Sequence, residues 1–118
     1  LISSGTEFNY IFANNDLQAM GCYNALKDAG MENIPIVSTG GSPDGYKMMC
    51  DGVEYANMTA PATLQGVKTF LNLYEYVVLG RQPAEKFTSL PVVPISQENL
   101  DKWMQWDDYE VAYRYYVK

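Results

Sequence analysis

Histidine is absent from this 118-residue sequence, and cysteine occurs only as Cys22 and Cys50. Without histidine the chain has no Ser–His or Cys–His pair and lacks the usual general base of enzymes. The separation of the two cysteines fits no local zinc or redox motif. A disulfide and two small buried apolar side chains both remain open for this pair. We therefore expect no enzyme activity, no cofactor and no metal site.

Positive charge is also scarce, because eight lysines and arginines face fourteen acidic residues, for a net charge of −6. An acidic surface repels the phosphate backbone, so we expect no nucleic-acid partner. No apolar run approaches the roughly 20 residues of a membrane-spanning helix. No signal segment precedes the first apolar stretch, and we expect further sequence upstream of Leu1.

Short apolar stretches alternate with helical patterns along the chain. Residues 10–13, 34–38 and 53–59 are predicted strands, and Tyr55 and Met58 are expected to add apolar bulk to the third. The first helix is expected to begin with Asp16 as its N-cap and to end before Gly30, a residue suited to a left-handed conformation. The second is expected to begin after the cap Ser42, with Pro43 in its first turn, and to end near residues 51–52.

The second half of the chain carries the strongest helical pattern. Apolar residues recur at helical spacing from 61 to 79, and Gly80 is expected to end that helix. Residues 87–95 are extended, and their prolines favour an edge strand or a connection. Residues 100–106 are a predicted helix. The aromatic residues after Leu100, which we call the tail aromatics, are expected to pack in a core or to cover a surface. The alternative is that they stack on a sugar ring.

Strand–helix units in series predict an α/β fold, a three-layer α/β/α arrangement with a parallel sheet. In such sheets ligands bind beyond the carboxyl ends of the strands. Here those ends are residues 14–16, 39–41 and 59–61, which we call the three corners. A ligand site at this edge requires the three corners to lie side by side in the sheet.

The corners contain few side chains with binding chemistry. The amide of Asn15 offers two donors and an acceptor, which suits adjacent hydroxyl groups, although Asn15 and Asp16 also fit a simple turn and cap. Bare backbone at Gly40 and Gly41, before a helix, can receive an anion or a hydroxyl oxygen, or serve only the turn. The spacing of Asp51, Asp107 and Asp108 predicts no shared carboxylate site.

The ordered set of motifs from Tyr10 to about Leu100 resembles the C-terminal part of the type I periplasmic binding proteins of sugar ABC transporters. The ribose-binding and galactose/glucose-binding proteins are the most similar in pattern. The matching segments are residues 11–16, 19–21, 25–27, 34–37, 41–44, 51–52, 65–66, 91–95 and 98–100. The resemblance implies a periplasmic binding protein-like I fold with two lobes and three hinge crossings.

The resemblance also implies a division of the chain. Residues 1–60 would form part of the C-terminal lobe, residues 61–95 would return to the N-terminal lobe, and residues 96–118 would hold the final crossing and the tail. Two of the hinge crossings would fall near residues 60–61 and 95–96. The missing N-terminal lobe of the same protein would then be the partner that completes the cleft.

Family site residues carry over by position. Asn15 matches an asparagine that hydrogen-bonds sugar hydroxyls, Gly40 stands where the sugar binders place an aspartate, and Ala60 where they place an asparagine or glutamine. The candidate ligand-binding residues are Asn15, Asp16, Thr39, Gly40 and Ala60. Each buried hydrogen bond to a sugar contributes about 1 kcal/mol. Because Gly40 and Ala60 replace polar side chains, the site is not expected to be a simple copy of a ribose or glucose site.

The resemblance implies a receptor that captures a sugar-like small molecule and delivers it to a membrane ABC permease. We expect the protein in the periplasm, or anchored outside the membrane as a lipoprotein, with a signal peptide in the full-length protein. The alternative is the ligand-sensing effector domain of a lactose-repressor-family regulator or of a signalling receptor.

Overall fold

The computed structural model describes residues 1–60, 62–83, 85–106 and 108–116. Four strands form one sheet in the order β1-β2-β3-β4. They are β1 (Ile11–Phe12), β2 (Ile36–Gly40), β3 (Ala56–Thr59) and β4 (Val93–Ser96). The first three are parallel, and β4 runs antiparallel to β3 at the edge. Pro94 therefore lies in an edge strand, where a missing N–H is tolerated, as the sequence predicts.

Two helices pack on one face of the sheet, and the sequence predicts the C-terminal end of the first and both ends of the second. They are α1 (Asp16–Asp28) and α2 (Pro43–Cys50). Ser42 caps α2 by accepting a hydrogen bond from the backbone N–H of Gly45 at 3.1 Å. The glycine after α1, Gly30, has a φ of +68°, as predicted.

The core lies between these helices and the sheet. Its first part consists of Ala13, Ala19, Leu26, Ile36 and Met48. Its second part consists of Met49, Ile95 and Trp103. The rings of Trp103 and Tyr46 lie 5.4 Å apart, which places the first tail tryptophan in the core.

The other face of the sheet is exposed in the described residues. Phe12 is 63% exposed and Met58 is 42% exposed. Tyr55 precedes β3 and is also exposed, so the prediction that Tyr55 and Met58 supply buried bulk is wrong. β3 is shorter than predicted, and its buried positions are instead the polar residues Asn57 and Thr59. The reason is the register, which turns Asn57 towards Ser38 on the covered face.

Helix α3 (Ala62–Val77) buries only Leu64 among its described side chains. Its principal helical neighbour is α4 (Tyr109–Tyr116). Phe70 and Val77 are exposed, although they belong to the apolar stripe that predicts the helix. Gly80, with a φ of +63°, follows the helix as predicted.

The tail differs from its predicted helix at residues 100–106. A short 3₁₀ helix covers Gln97–Lys102, and α4 follows later. The earlier start has a local cause, because Ser96 and Asn99 form a reciprocal capping box around the first turn. A second 3₁₀ helix, Ile2–Ser4, lies at the start of the chain.

Both cysteines are free thiols. Cys22 is half-buried and packs beside the core, whereas Cys50 is exposed. The alternative of two buried apolar side chains is therefore wrong for Cys50. Among the described residues, no helix has the length and apolar character needed to cross a membrane.

Candidate functional site

The described parts of the three corners lie side by side at the carboxyl edge of β1, β2 and β3. The hydroxyl of Thr39 donates a hydrogen bond to the carbonyl oxygen of Asn14 at 2.9 Å, which joins the first corner to the second. The N–H of Ala60 donates to the carbonyl oxygen of Gly40 at 3.2 Å, which joins the second to the third. We call this edge, residues 14–16, 39–41 and 59–60, the rim. Pro61, the last residue of the third corner, lies outside the described residues.

Asn15 is exposed at the rim and caps α1. Its side-chain carbonyl oxygen accepts a hydrogen bond from the N–H of Gln18 at 2.9 Å. The sequence assigns the cap to Asp16, and that assignment is wrong, because Asp16 is already the first residue of the helix. With the oxygen of Asn15 used in the cap, the amide nitrogen is the part of this side chain that can donate to a ligand.

Asp16 lies beneath the rim and is only 3% exposed. One oxygen of its carboxylate accepts hydrogen bonds from the hydroxyl of Ser38 at 2.8 Å and from the amide of Asn57 at 2.7 Å. The other accepts from the N–H of Ser42 at 2.7 Å. One carboxylate therefore joins α1 to β2, β3 and the start of α2, and it is buried in this network rather than exposed at the rim.

A second buried carboxyl group, that of Glu54, belongs to the same network. The amide nitrogen of Asn57 lies 3.2 Å from one oxygen of Glu54, so this single amide contacts both acidic side chains. Burial raises the pKa of Glu54, and the negative charge of Asp16 raises it further, against the hydrogen bonds from Ser38 and Asn57. We call Asp16, Ser38, Glu54 and Asn57 the polar cluster.

Sequence reasoning missed the polar cluster because residues 53–59 look like one apolar strand. The alternation of Asn57, Met58 and Thr59 was a signal, since it places two polar side chains on one face of a strand that helices cover. The buried oxygen of the Asn57 amide has no hydrogen-bond partner among the described residues.

Two glycines make room for the carboxylate of Asp16. A Cβ atom at Gly40 would lie 2.8 Å from an oxygen of that carboxylate, and a Cβ at Gly45 would lie 2.6 Å from its carbon. Gly40 also has a φ of +141°, a conformation that residues with side chains rarely adopt. In this backbone conformation a side chain at position 40 would therefore meet the carboxylate of Asp16.

The exposed chemistry of the rim is consequently sparse. Asn15 offers an amide, Gly40 and Ala60 offer only backbone, and the hydroxyl of Thr39 is already donated within the rim. Thr59 donates its hydroxyl to the carbonyl oxygen of Val93 at 3.0 Å, which fastens the rim to β4. Among the described residues no group of three or more His, Cys, Asp or Glu side chains could hold a metal ion.

A cavity of about 660 Å³ lies away from the rim. Its walls come from the first residues of the chain, β1 and α1, and they are mostly apolar, including Phe8, Tyr10 and Phe12. No residue of the rim lines it.

Comparison with known proteins agrees with this geometry, although no protein-family model matches the chain. The chain is 36% identical over 52 residues to the ribose import binding protein RbsB of Escherichia coli (strain K12), across 44% of this chain and 18% of that protein. It is 31% identical over 107 residues to the galactofuranose-binding protein YtfQ of the same strain, across 85% of this chain and 33% of that protein. The chain thus matches about a third or less of the length of these relatives.

Solved structures give the same result. A galactofuranose-binding protein is 28% identical, with a TM-score of 0.72 over 85% of this chain and 34% of its own. The periplasmic binding protein of the arabinose ABC transporter from Shewanella sp. ANA-3, bound to arabinofuranose, is 25% identical, with a TM-score of 0.69 over 98% of this chain and 37% of its own. A solute-binding protein from Actinobacillus succinogenes with bound D-allose shares the fold at 17% identity, with a TM-score of 0.76 over 86% of this chain and 35% of its own.

These relatives are sugar-binding transport proteins, and they lend no support to the repressor alternative. The chain is therefore a homologue of the sugar solute-binding proteins of ABC transporters, with the type I periplasmic binding protein fold, and its partial coverage fits a C-terminal portion of such a protein.

Proposed function

We propose that this chain is part of an extracytoplasmic receptor that captures a sugar or sugar-like small molecule for a membrane ABC permease. The observation that carries the proposal is the rim, where the ends of three parallel strands meet and Asn15 presents its amide. A ligand at this edge is what the open α/β sheet favours. The relatives that bind ribose, galactofuranose and arabinofuranose support the same class of ligand.

The proposed receptor has two lobes that close around the ligand. Residues 1–60 belong to one lobe, residues 61–95 return to the other, and residues 96–118 hold the final crossing and the tail. The exposed apolar side chains of α3 support this division, because a helix with this pattern buries its stripe against a partner. β4 (Val93–Ser96) pairs with β3, so the proposed boundary near residues 95–96 lies where the chain returns to the sheet of the first lobe.

The ligand is recognised with fewer polar side chains than a ribose or glucose site would use. Gly40 and Ala60 contribute no side-chain hydrogen bond, and each such bond contributes about 1 kcal/mol. This favours a different sugar, a sugar derivative or a smaller, less hydroxylated molecule. The receptor binds and releases its ligand unchanged, in the periplasm or tethered outside the membrane.

The first test is a thermal-shift screen of the intact protein that contains this chain. The probes are D-ribose, L-arabinose, D-galactose, D-fucose, D-fructose, D-allose and myo-inositol. A ligand that binds only the folded state raises the melting temperature by mass action, with about 2.7 kcal/mol of stabilisation at a hundred times its Kd. A folded protein whose melting temperature none of these probes raises contradicts the proposal.

The second step assigns the site to Asn15 by calorimetry. Asn15→Ser keeps an oxygen for the helix cap but removes the amide donors, so we expect binding weaker by about 1–3 kcal/mol with little loss of stability. Asn15→Ala should lose the same affinity and about 1 kcal/mol of stability as well, because the cap is gone. Asn24→Ser, at an exposed position further along α1, is the matched control. Equal affinities for Asn15→Ser and Asn24→Ser would contradict the assignment.

A further inference from the structure

The two tryptophans of the tail have different surroundings. Trp103 is 8% exposed and packs in the core with Met49 and Ile95. Trp106 is 40% exposed, and its indole N–H donates a long hydrogen bond of 3.4 Å to the carbonyl oxygen of Gly40. Its backbone carbonyl oxygen accepts a hydrogen bond from the hydroxyl of Thr63 at the start of α3. Trp103 therefore has a packing role, whereas Trp106 is held at the rim.

Trp106 stands at the part of the rim that lacks polar side chains. The carbonyl oxygen of Gly40 accepts from the N–H of Ala60 as well as from the indole of Trp106. The indole is therefore beside both Gly40 and Ala60, at the ends of β2 and β3. The carboxylate of Asp16 and the backbone conformation exclude a side chain at position 40, so no group at that position covers the indole.

We propose that Trp106 is a ligand-contacting residue that offers the flat face of its indole to the sugar at the rim. The inference rests on the proposed function and extends it. Sugar rings carry patches of C–H groups, and an aromatic face packs against such an apolar patch. The ligand class is therefore a pyranose or furanose bound through one C–H face, with Asn15 supplying polar contact at the first corner.

The geometry assigns separate tasks to the two parts of the indole. Its N–H is already donated to Gly40, which orients the ring and leaves stacking as its means of contact with the ligand. The bond to Thr63 fixes the backbone of Trp106 at the same place. An exposed aromatic ring held at both its side chain and its backbone loses little conformational freedom when a ligand arrives.

The test uses the intact protein and the probe sugar with the largest thermal shift. Trp106→Phe keeps a flat ring without the N–H, and Trp106→Leu keeps apolar volume without a ring. We expect the Kd of Trp106→Phe to stay within about threefold of the original and that of Trp106→Leu to rise about tenfold or more. An unchanged Kd for Trp106→Leu, or an equal loss for both variants, overturns the inference, since equal loss means that only the N–H bond matters.

Fluorescence supplies a second readout that packing alone does not produce. Sugar should alter tryptophan emission in the original protein and in Trp103→Phe, and the part of the change contributed by Trp106 should vanish in Trp106→Phe. A sugar-induced change that is the same in Trp106→Phe as in the original overturns the inference. If no probe sugar raises the melting temperature of the original protein, the proposed function fails and this inference fails with it.

Discussion

The carboxyl groups of Glu54 and Asp16 both accept hydrogen bonds from one amide, that of Asn57, in the interior of the protein. Burial opposes the ionisation of Glu54, and the negative charge of Asp16 opposes it further, so the pKa of Glu54 is raised. Asp16 also accepts hydrogen bonds from Ser38 and Ser42, which are not on its own helix. In contrast to this buried cluster, the ion pairs Lys47–Asp51 and Glu110–Arg114 are exposed.

The polar cluster predicts a pH dependence of stability. Because the folded pKa of Glu54 is raised above its ordinary value of 4.5, its contribution is fully present below that value and is lost as the pH rises through the folded pKa. Glu54→Gln mimics the protonated form at every pH. We expect the free energy of unfolding of Glu54→Gln, relative to the original protein, to increase steadily as the pH rises. Urea titrations between about pH 4 and about pH 8 measure it.

The control for this titration is Glu32→Gln, at an exposed position after α1. A pH dependence that appears in Glu54→Gln and not in Glu32→Gln belongs to the buried carboxyl group. A stability difference between Glu54→Gln and the original protein that does not change with pH contradicts the pairing described for Glu54 and Asp16.

The chemistry of neighbouring residues alone could not show whether Asn15 or Asp16 caps α1. Asn and Asp are both good N-caps, so nothing in the order Asn15-Asp16 decides which of them caps α1. The decision comes from Ser38, Ser42 and Asn57, which are distant in sequence and provide Asp16 with three donors. The signal for Asn15 as a contact residue came from the order of the motifs, and its contact with a ligand remains a prediction.

Among the helices and strands, the features that the sequence predicted correctly are those that depend on residues nearby in the chain. The C-terminal end of α1, both ends of α2 and the edge position of β4 were predicted correctly, because caps, glycines and prolines act locally. The start of β3 was wrong, since its pairing depends on β2 and β4. The prediction of a helix at residues 100–106 was wrong as well, because Trp103 packs in the core beside Met49 and the 3₁₀ helix ends before it.

The join between β2 and α2 predicts contrasting results for two glycines. Gly40→Ala forces a side chain into a positive φ and against Asp16, so we expect a loss of more than about 1 kcal/mol of stability. Gly21→Ala, in α1, meets no atom within 4 Å, and we expect a gain of about 0.5–1 kcal/mol. Chemical denaturation of both variants of the intact protein measures the difference. A neutral Gly40→Ala would mean that Asp16 does not fill the space beside residue 40.

For the molecule as a whole, the described chain buries one face of its sheet and leaves the other open. Sheets of parallel strands are usually covered on both faces, and in the proposed receptor the rest of the protein would cover the exposed Phe12 and Met58. The exposed apolar stripe of α3 would be covered in the same way in the proposed receptor. The sequence predicted these elements from their apolar patterns, but the patterns carry no information about what covers them.

The incomplete surface predicts the behaviour of the 118 residues in isolation. We expect them to show no thermal shift at sugar concentrations that saturate the intact protein, because in the proposed receptor the second lobe supplies the opposing side of the cleft. The same calorimetric titration on both proteins checks this. Binding of similar affinity by the 118 residues alone would contradict the two-lobed receptor.

The carboxylate of Asp16 fills the volume beside Gly40 and Gly45, and this restricts how the protein can evolve. A side chain at position 40 requires the carboxylate of Asp16 or the backbone of residue 40 to move. Shrinking residue 16 first strands the donors of Ser38, Ser42 and Asn57 in the interior, at a cost of about 1–3 kcal/mol each. An acidic side chain at position 40, where the sugar binders place an aspartate, therefore requires a shifted backbone or a shifted carboxylate in this chain, so a single substitution of Gly40 strains the structure instead of restoring a polar contact.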